Sequence, residues 1–258
     1  MGQINDQPLS SILDSGTGSV ILNLGVGLKL NLVEGNRSHT ALGGGRNSQL
    51  LRPVRIRNVR LRPVKLVDVR GFAIDLQGLA ASAGFSIDSI LGEPLFEAGV
   101  VEINYRTLQL TFRPSSKKHV CSTPIPIKIV NGVPVVEVAL RSRPGETPTT
   151  LHLIVDLGTR HFAAIVGGPF LNSETGRLLF QSGQAQQIAT GTGGSVVGKS
   201  VRANELRVGD HRYENLEIAL THQVHAFELG FADGSLGVPL WQQGAIAFDY
   251  PNREFCLE

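Results

Sequence analysis

The chain has 258 residues, enough to bury either one large core or two smaller ones. Hydrophobic residues make up 41% of it, and 24 Lys and Arg nearly balance 22 Asp and Glu, which excludes a bulk attraction to nucleic acid or to anionic membranes. The 30 glycines and 13 prolines, set between short apolar segments, predict many short strands rather than long helices. No apolar run approaches the roughly 18 residues that cross a bilayer.

The first notable segment is residues 12–18, where an apolar run ends at Asp14. A very similar segment returns at residues 154–159 and ends its apolar run at Asp156. An unpaired buried carboxylate is strongly disfavoured, so an apolar strand that ends in Asp indicates a carboxylate with a function. In each copy a glycine follows two residues later and permits a sharp turn, and a threonine follows three residues later and offers a hydroxyl to the carboxylate. Two such turns can bring two carboxylates face to face.

Between these copies the chain alternates strand and turn signals. Residues 19–32 predict a strand and a short helix or turn, residues 39–47 a polar, glycine-rich hairpin, and residues 76–84 a short helix that ends at a glycine. Residues 54–66 alternate apolar and basic side chains, which is typical of strands with one wet face. The basic residues are Arg52, Arg55, Arg57, Arg60, Arg62 and Lys65. No aromatic residues interleave with them, so a solvated sheet face is favoured over a nucleic-acid stripe.

A second pair of segments shows that the chain is an internal duplication. At a constant offset of 145 residues, seven residues recur without a gap. They are Asp88, Leu91, Gly92, Pro94, Leu95, Gly99 and Tyr105, which return as Asp233, Leu236, Gly237, Pro239, Leu240, Gly244 and Tyr250. The Asp14 and Asp156 segments are offset by 142 residues and come first in each half, so one fold unit is used twice.

The repeat predicts an N-terminal lobe at residues 1–113, a polar, proline-containing linker at residues 114–122, and a C-terminal lobe at residues 123–258. The second lobe opens with alternating strands that the first lobe lacks. The polar N-terminus is no signal peptide and reaches Asp14 almost at once, so we expect a natural chain that begins earlier. The compartment stays open, and is periplasmic or secreted if a signal peptide has been removed. Cys121 and Cys256 form either two buried thiols or one disulfide.

The order of these motifs resembles the aspartic peptidase superfamily, and most closely the bacterial retropepsin-like proteins with two fused lobes. In that family a strand carries Asp-Thr/Ser-Gly-Thr/Ser, a glycine-rich flap follows, and an apolar-apolar-Gly segment enters a short helix and a final strand. The resemblance implies an all-β acid-protease fold with two pseudo-symmetric β-rich lobes, a few short helices and a central cleft.

The resemblance also implies the site residues and the chemistry. Asp14 and Asp156 would be a dyad that shares a proton and activates a water for peptide-bond hydrolysis. The supporting loop residues would be Ser15, Gly16, Thr17, Gly158 and Thr159. The flaps that cover the substrate would contain Leu42, Gly43, Gly44, Gly45, Thr192, Gly193 and Gly194. An aspartic endopeptidase of this kind needs no metal or organic cofactor, binds an extended peptide, and acts as a monomer because one chain supplies both lobes.

Leu157 departs from the family pattern. Family enzymes carry Thr or Ser directly after each catalytic Asp, where the hydroxyl ties the two loops together; Ser15 keeps this feature and Leu157 loses it. The flap tyrosine of pepsin-like enzymes also has no counterpart, since the tyrosines are at positions 105, 213 and 250. The alternative hypothesis is therefore a catalytically impaired member that binds peptides in the same cleft.

Three competing motifs are weaker. Residues 193–200 fit the phosphate-binding pattern G-x4-G-K-[ST], but no buried strand precedes them and no full crossover helix follows, so a flap hairpin is favoured. His222 and His225 have no third metal ligand nearby. His152 and His161 flank Asp156, but no Gly-x-Ser-x-Gly elbow supports a serine hydrolase.

Overall fold

Short β-strands dominate the chain, which confirms the all-β prediction. The computed structural model describes residues 2–35, 38–42, 44–45, 47–116 and 121–258, with the backbone alone at positions 41 and 42. The strands form two eight-stranded sheets, one in each half, and a five-stranded sheet to which both halves contribute. Valine, isoleucine and leucine fill the space inside these sheets.

The first half forms one sheet in the order β2-β1-β6-β7-β4-β8-β3, with β5 on β6. Its strands are β1 (Gly2–Ile4), β2 (Gln7–Leu9), β3 (Ser11–Leu13), β4 (Val20–Asn23), β5 (His39–Leu42), β6 (Ser48–Leu61), β7 (Val64–Ile74) and β8 (Ser89–Leu91). Its helices are α1 (Leu24–Lys29), α2 (Gln77–Ala83) and α3 (Glu93–Phe96). The hairpin of β1 and β2 is not evident from the alternation of apolar residues, because each strand is only three residues long.

Local sequence signals account for several of these elements. In β6, Val54 and Ile56 are buried while the intervening Arg55 is exposed and pairs with Asp68 on β7, Nε to Oδ1 at 2.6 Å. Helix α2 ends, as predicted, at Gly84, whose φ of 78° lies in the left-handed region that favours glycine.

Strands β9 (Val100–Asn104) and β10 (Gln109–Arg113) follow, and then the strands of the second half. These are β11 (Ile125–Pro126), β12 (Lys128–Val130), β13 (Val133–Arg141), β14 (Thr149–Val155), β15 (Ala164–Val166), β16 (Gln184–Gly191), β17 (Gly194–Val208), β18 (His211–Leu220), β19 (Gly234–Leu236), β20 (Ala245–Asp249) and β21 (Glu254–Leu257). The helices are α4 (Gly168–Asn172), α5 (Glu174–Ser182), α6 (His225–Glu228) and a 3₁₀ turn at Val238–Leu240. The second sheet has the order β12-β13-β14-β19-β15-β18-β17-β16, and β13 also pairs with β17.

The third sheet joins the two halves in the order β10-β9-β20-β21-β11. An aromatic cluster covers it, in which the Phe96 ring lies 5.2 Å from Phe248 and 5.1 Å from Tyr250. Cys121 and Cys256 form a disulfide, which decides between the two alternatives that the sequence leaves open. It links residues 135 positions apart, so the loop-entropy model gives a stabilisation of about 4–5 kcal/mol.

The duplication is visible in the strand pairing. The strand before each Asp pairs in parallel with a strand from the second repeated segment, β3 with β8 and β14 with β19. The repeated carboxylates hold these pairs together in the same way: Asp88 accepts a hydrogen bond from the backbone of Ser10, and Asp233 accepts one from the backbone of His152, both at 2.8 Å. The division of the chain at residues 114–122 stays a prediction, and residues 117–120 lie outside the described part.

Candidate active site

Each candidate carboxylate lies directly after the strand that delivers it. β3 ends at Leu13 and β14 ends at Val155, one residue before Asp14 and Asp156. The backbone N–H of Asp14 donates to the Leu91 carbonyl and that of Asp156 donates to the Leu236 carbonyl, each at 3.1 Å. The two loops are therefore held by equivalent bonds, one in each lobe.

Inside each loop, the predicted glycine and threonine hydrogen-bond the carboxylate. Gly16 N–H donates to Asp14 Oδ1 at 2.8 Å, and the Thr17 hydroxyl donates to Oδ2 at 2.9 Å. Around the second carboxylate, Gly158 N–H and the Thr159 hydroxyl make the same two bonds, both at 2.7 Å. Each Asp thus has one oxygen fixed by backbone and the other fixed by a hydroxyl.

The two carboxylates face each other across the junction of the lobes. A methyl group placed on Gly16 would lie 2.5 Å from Asp156 Oδ1 and 3.2 Å from Asp14 Oδ1, so both oxygens border the same small space. Protein atoms surround Asp156 closely although part of its surface stays open. This desolvation, together with the charge of Asp14, raises the pKa of the Asp156 carboxyl well above its usual value. The pair is therefore suited to hold one shared proton.

The raised pKa of Asp156 predicts a pH-dependent stability. Between the pKa of an unfolded Asp, about 3.9, and the raised folded value, the folded state binds more protons than the unfolded state, so stability falls as pH rises. We expect Asp156→Asn to be more stable than the parent at pH 7–8, by about 1.4 kcal/mol per unit of pKa shift, with the difference vanishing below about pH 4. Urea unfolding of both proteins at each pH measures this difference. The exposed Asp210, replaced by Asn, is the charge-matched control, and an Asp156→Asn variant that keeps the parent's pH slope would contradict the prediction.

Ser15 ties the two loops together from one side only. Its buried hydroxyl donates to the Val155 carbonyl at 2.7 Å and accepts from the backbone N–H of Leu157 at 3.1 Å. Leu157 occupies the equivalent position in the other loop, and its side chain is 8% exposed and packs in the apolar core. Because it has no hydroxyl, Leu157 cannot return the side-chain bonds that Ser15 makes.

Two supporting residues were not predicted from the sequence. The Ser235 hydroxyl lies 2.7 Å from the Thr159 hydroxyl, and since Thr159 gives its single proton to Asp156, Ser235 is the donor in this contact. Ile90 takes the place of Ser235 in the first lobe, so the repeat gives no signal for it. Tyr250 is fully buried beside the loops, and burial with the nearby charge of Asp14 raises the pKa of its hydroxyl. For Tyr250, the signal that the sequence offered is the repeat, in which Tyr105 returns as Tyr250.

The two predicted flaps meet at their tips. Gly193 N–H donates to the Gly44 carbonyl at 2.9 Å, and Asn47 N–H donates to the Gly193 carbonyl at 3.2 Å. Gly44 and Gly45 follow the β5 strand of the first lobe. Thr192 and Gly193 form the turn between β16 and β17 of the second lobe, and Gly194 is the first residue of β17. Leu42 is the last residue of β5, where the structure describes only the backbone. Gly43 lies outside the described residues. The tip contact is therefore a further connection between the two lobes, in addition to the five-stranded sheet and the bonds of Ser15.

Replacing Gly191 by Ala is expected to open this tip contact. A Cβ on Gly191 would lie 2.1 Å from the Gly44 carbonyl oxygen, so backbone must move. We expect the amides of Gly193 and Asn47 to exchange hydrogen at least about tenfold faster in this variant, because local opening then costs less free energy. Gly25→Ala is the matched control, since its Cβ would meet only the side chain of Asn23 at 3.4 Å. Unchanged exchange at both tip amides would show that the contact tolerates a methyl group.

The competing motifs lie in other settings. Residues 193–200 belong to the β16–β17 hairpin and lead along a strand rather than into a helix, so they do not form a phosphate-binding loop. His222 lies 3.7 Å from Glu228, and His152 lies 3.9 Å from both Glu137 and Asp233. Among the described residues, no group of three or more His, Cys, Asp or Glu is arranged to hold a metal ion.

Two β-rich lobes that each present an Asp-x-Gly-Thr loop at their junction define an acid-protease fold. Residues 1–95 match the family model of aspartyl proteases, a range that includes the Asp14 loop, the first flap and the Asp88 segment. This part of the chain is therefore similar to aspartyl proteases. No curated protein matches the chain. No helix within the described ranges is long and apolar enough to span a membrane.

Proposed function

We propose that the protein is an aspartic endopeptidase in which Asp14 and Asp156 form the catalytic dyad. The observation that carries this proposal is the shared space between the two carboxylates, each braced by one backbone N–H and one threonine hydroxyl. Like charges this close cannot both ionise cheaply, so one proton is shared between them.

The roles of the two carboxylates follow from their surroundings. Asp156, whose pKa is raised by desolvation and by the neighbouring charge, holds the proton and donates it to the carbonyl oxygen of the scissile bond. Asp14 takes a proton from a water between the two groups, and the water oxygen attacks the carbonyl carbon. The tetrahedral intermediate collapses when the proton on Asp14 passes to the leaving amine, the C–N bond breaks, and one hydroxyl of the intermediate returns its proton to Asp156, which leaves the product carboxylic acid. One chain supplies both groups, so a monomer is sufficient.

The flaps would cover an extended peptide and exclude bulk water. Because the tips of both hairpins are bonded to each other, the peptide enters only when this contact opens. Glycines at the tips leave room for the substrate backbone to approach closely.

The second candidate function is peptide binding without turnover, and Leu157 is the observation that favours it. Only the Ser15 hydroxyl makes side-chain hydrogen bonds between the two loops. A hydroxyl at position 157 as well would double the number of these hydrogen bonds. Small errors in the position of reacting groups reduce catalysis strongly while leaving binding intact.

The test is cleavage of a mixture of denatured-protein peptides across roughly pH 3–7, the range in which a carboxylate dyad titrates, with new termini identified by mass spectrometry. The double variant Asp14→Asn/Asp156→Asn serves as the blank. Cleavage by the parent chain alone supports the endopeptidase, while peptide binding with no cleavage at any pH would overturn it in favour of the second candidate.

A further inference from the structure

Each lobe contains a long two-stranded hairpin, and the duplication allows the two hairpins to be compared position by position. In the first lobe β6 pairs with β7, and in the second lobe β17 pairs with β18. At an offset of 147 residues the pairs that close the hairpins coincide, Leu61 with Val64 and Val208 with His211. Each residue of the first hairpin therefore has a counterpart in the second.

The two hairpins differ in charge. Residues 48–74 contain seven basic residues and one acidic residue, whereas the equivalent residues 195–221 contain four of each. Arg55 lies directly opposite Arg70, at a place where the second lobe pairs an arginine with Glu217. Like charges opposite each other destabilise a sheet. A solvated sheet face needs polar side chains but not charges of one sign, as the balanced hairpin of the second lobe shows.

In the second lobe a buried carboxylate neutralises one pair of opposite basic residues. Arg207 and Arg212 lie opposite each other on β17 and β18. The Nε of Arg207 is 2.7 Å from one carboxylate oxygen of Glu205, and the Nε of Arg212 is 2.6 Å from the other. Glu205 is only 1% exposed, so these two cations compensate a charge that would otherwise be costly to bury. A carboxylate thus fits between two basic side chains on neighbouring strands of this hairpin.

The equivalent pair in the first lobe, Arg60 and Lys65, lacks this carboxylate because the neutral Asn58 stands at the position of Glu205. Arg60 pairs with the exposed Asp6 instead, Nη1 to Oδ1 at 2.8 Å. Among the described residues, no carboxylate forms an ion pair with four other exposed basic residues of the hairpin, which are Arg57, Arg62, Lys65 and Arg70. The outer surface of this hairpin therefore has basic groups available for an anionic partner.

We propose that the outer surface of the β6–β7 hairpin binds an acidic segment of another protein through its carboxylates. Arg55 shows this recognition within the chain, since its Nε and Nη2 donate to the two oxygens of Asp68 at 2.6 and 3.0 Å. The two arginines that hold Glu205 show it at the equivalent place in the second lobe. Residues 48–70 contain no aromatic side chain on which a nucleic-acid base could stack, which favours carboxylates over the phosphates of a single strand.

The spacing of the basic pairs suits an extended acidic segment. The pairs at Arg55 and Arg60 are five residues apart along β6, which is about 17 Å, and Arg57 lies between them. Side chains at every second position of an extended segment point to the same side, about 7 Å apart, so several carboxylates can reach the hairpin at once. Exposed ion pairs contribute little singly and are screened by salt, so binding depends on several of them and decreases as ionic strength rises. The proposal does not depend on the catalytic role of Asp14 or Asp156.

The test is binding of a fluorescein-labelled peptide to the 258-residue chain, measured by fluorescence anisotropy in low salt near neutral pH, where carboxylates are ionised. The peptide alternates Glu with Ser over about 12 residues, and the same peptide with Gln for Glu is the blank. We expect saturable binding that Arg57→Glu/Arg70→Glu weakens at least about tenfold, because two attractions become repulsions. Arg143→Glu/Arg202→Glu is the matched control, since it changes the net charge equally at exposed positions of the second lobe and should weaken binding less than about twofold.

Four results would overturn the proposal. The first is no saturable binding of the glutamate peptide in low salt, and the second is an equal loss of binding in both double variants, which would show a response to net charge alone. The third is displacement of the peptide by an oligonucleotide or by phosphatidylserine vesicles at a lower concentration of negative charge, which would make phosphate the preferred ligand. The fourth is self-association that Arg57→Glu/Arg70→Glu abolishes, which would make a second copy the partner. Thermal unfolding verifies that the variants fold, and Arg57→Gln/Arg70→Gln, which only removes charge, should weaken binding by a smaller factor.

Discussion

Asp14→Asn and Asp156→Asn are each expected to lower kcat/KM for peptide cleavage by about 10³-fold, because each removes one partner of the proton transfer. Asn has nearly the same shape as Asp, and its amide can keep the bonds to Gly16 or Gly158 and to the threonine of its loop. The loss should therefore appear in turnover rather than in folding. Asp210→Asn, a change of the same charge on an exposed turn, should leave cleavage unchanged.

The pH profile separates this explanation from a general loss of structure. A dyad with one shared proton gives a bell-shaped dependence of kcat/KM, since activity needs one group ionised and the other protonated. If a single Asn variant keeps some activity, its kcat/KM should no longer decrease on one of the two sides of the pH optimum. Retention of more than about a tenth of the parent activity in either variant would contradict the assignment of that residue to the dyad. Peptide binding measured on the same variants distinguishes lost chemistry from a lost cleft.

The Asp loops were predictable from sequence because their chemistry is local. Each places Asp, Gly and Thr within four positions, so the hydrogen bonds around Asp14 and Asp156 form within one turn. The duplication supplied the long-range information, since two copies of one unit imply that their equivalent loops meet at a pseudo-twofold axis. The structure has this symmetry in the pairing of β3 with β8 and of β14 with β19.

Contacts that break the symmetry could not be predicted in this way. Ser235 supports Thr159 in only one lobe, and the bond between the flap tips joins residues far apart in the sequence. The disulfide between Cys121 and Cys256 stayed open for the same reason, because spacing alone does not place two cysteines side by side.

Leu157→Thr is expected to raise kcat by about 10–100-fold while lowering stability, and the two effects have separate causes. A threonine hydroxyl would sit where symmetry places the counterpart of the Ser15 hydroxyl, so it could donate to the Leu13 carbonyl and fix the distance between the carboxylates. At the same time the core loses part of a leucine side chain that is 8% exposed, which costs about 1–3 kcal/mol. Turnover and melting temperature should therefore move in opposite directions.

Leu157→Val is the control that isolates the hydroxyl, because valine has the shape of threonine without its oxygen. We expect Val to share the stability loss and to show no gain in kcat, and Ser15→Ala to lower kcat by about the amount that Leu157→Thr raises it. Ser15→Thr should retain the bond to Val155 and with it the parent activity. If Thr and Val at position 157 behave alike, the missing tie does not limit turnover. Weak activity in the parent would then have its cause outside the loops, and peptide binding without cleavage would become the better account of the protein.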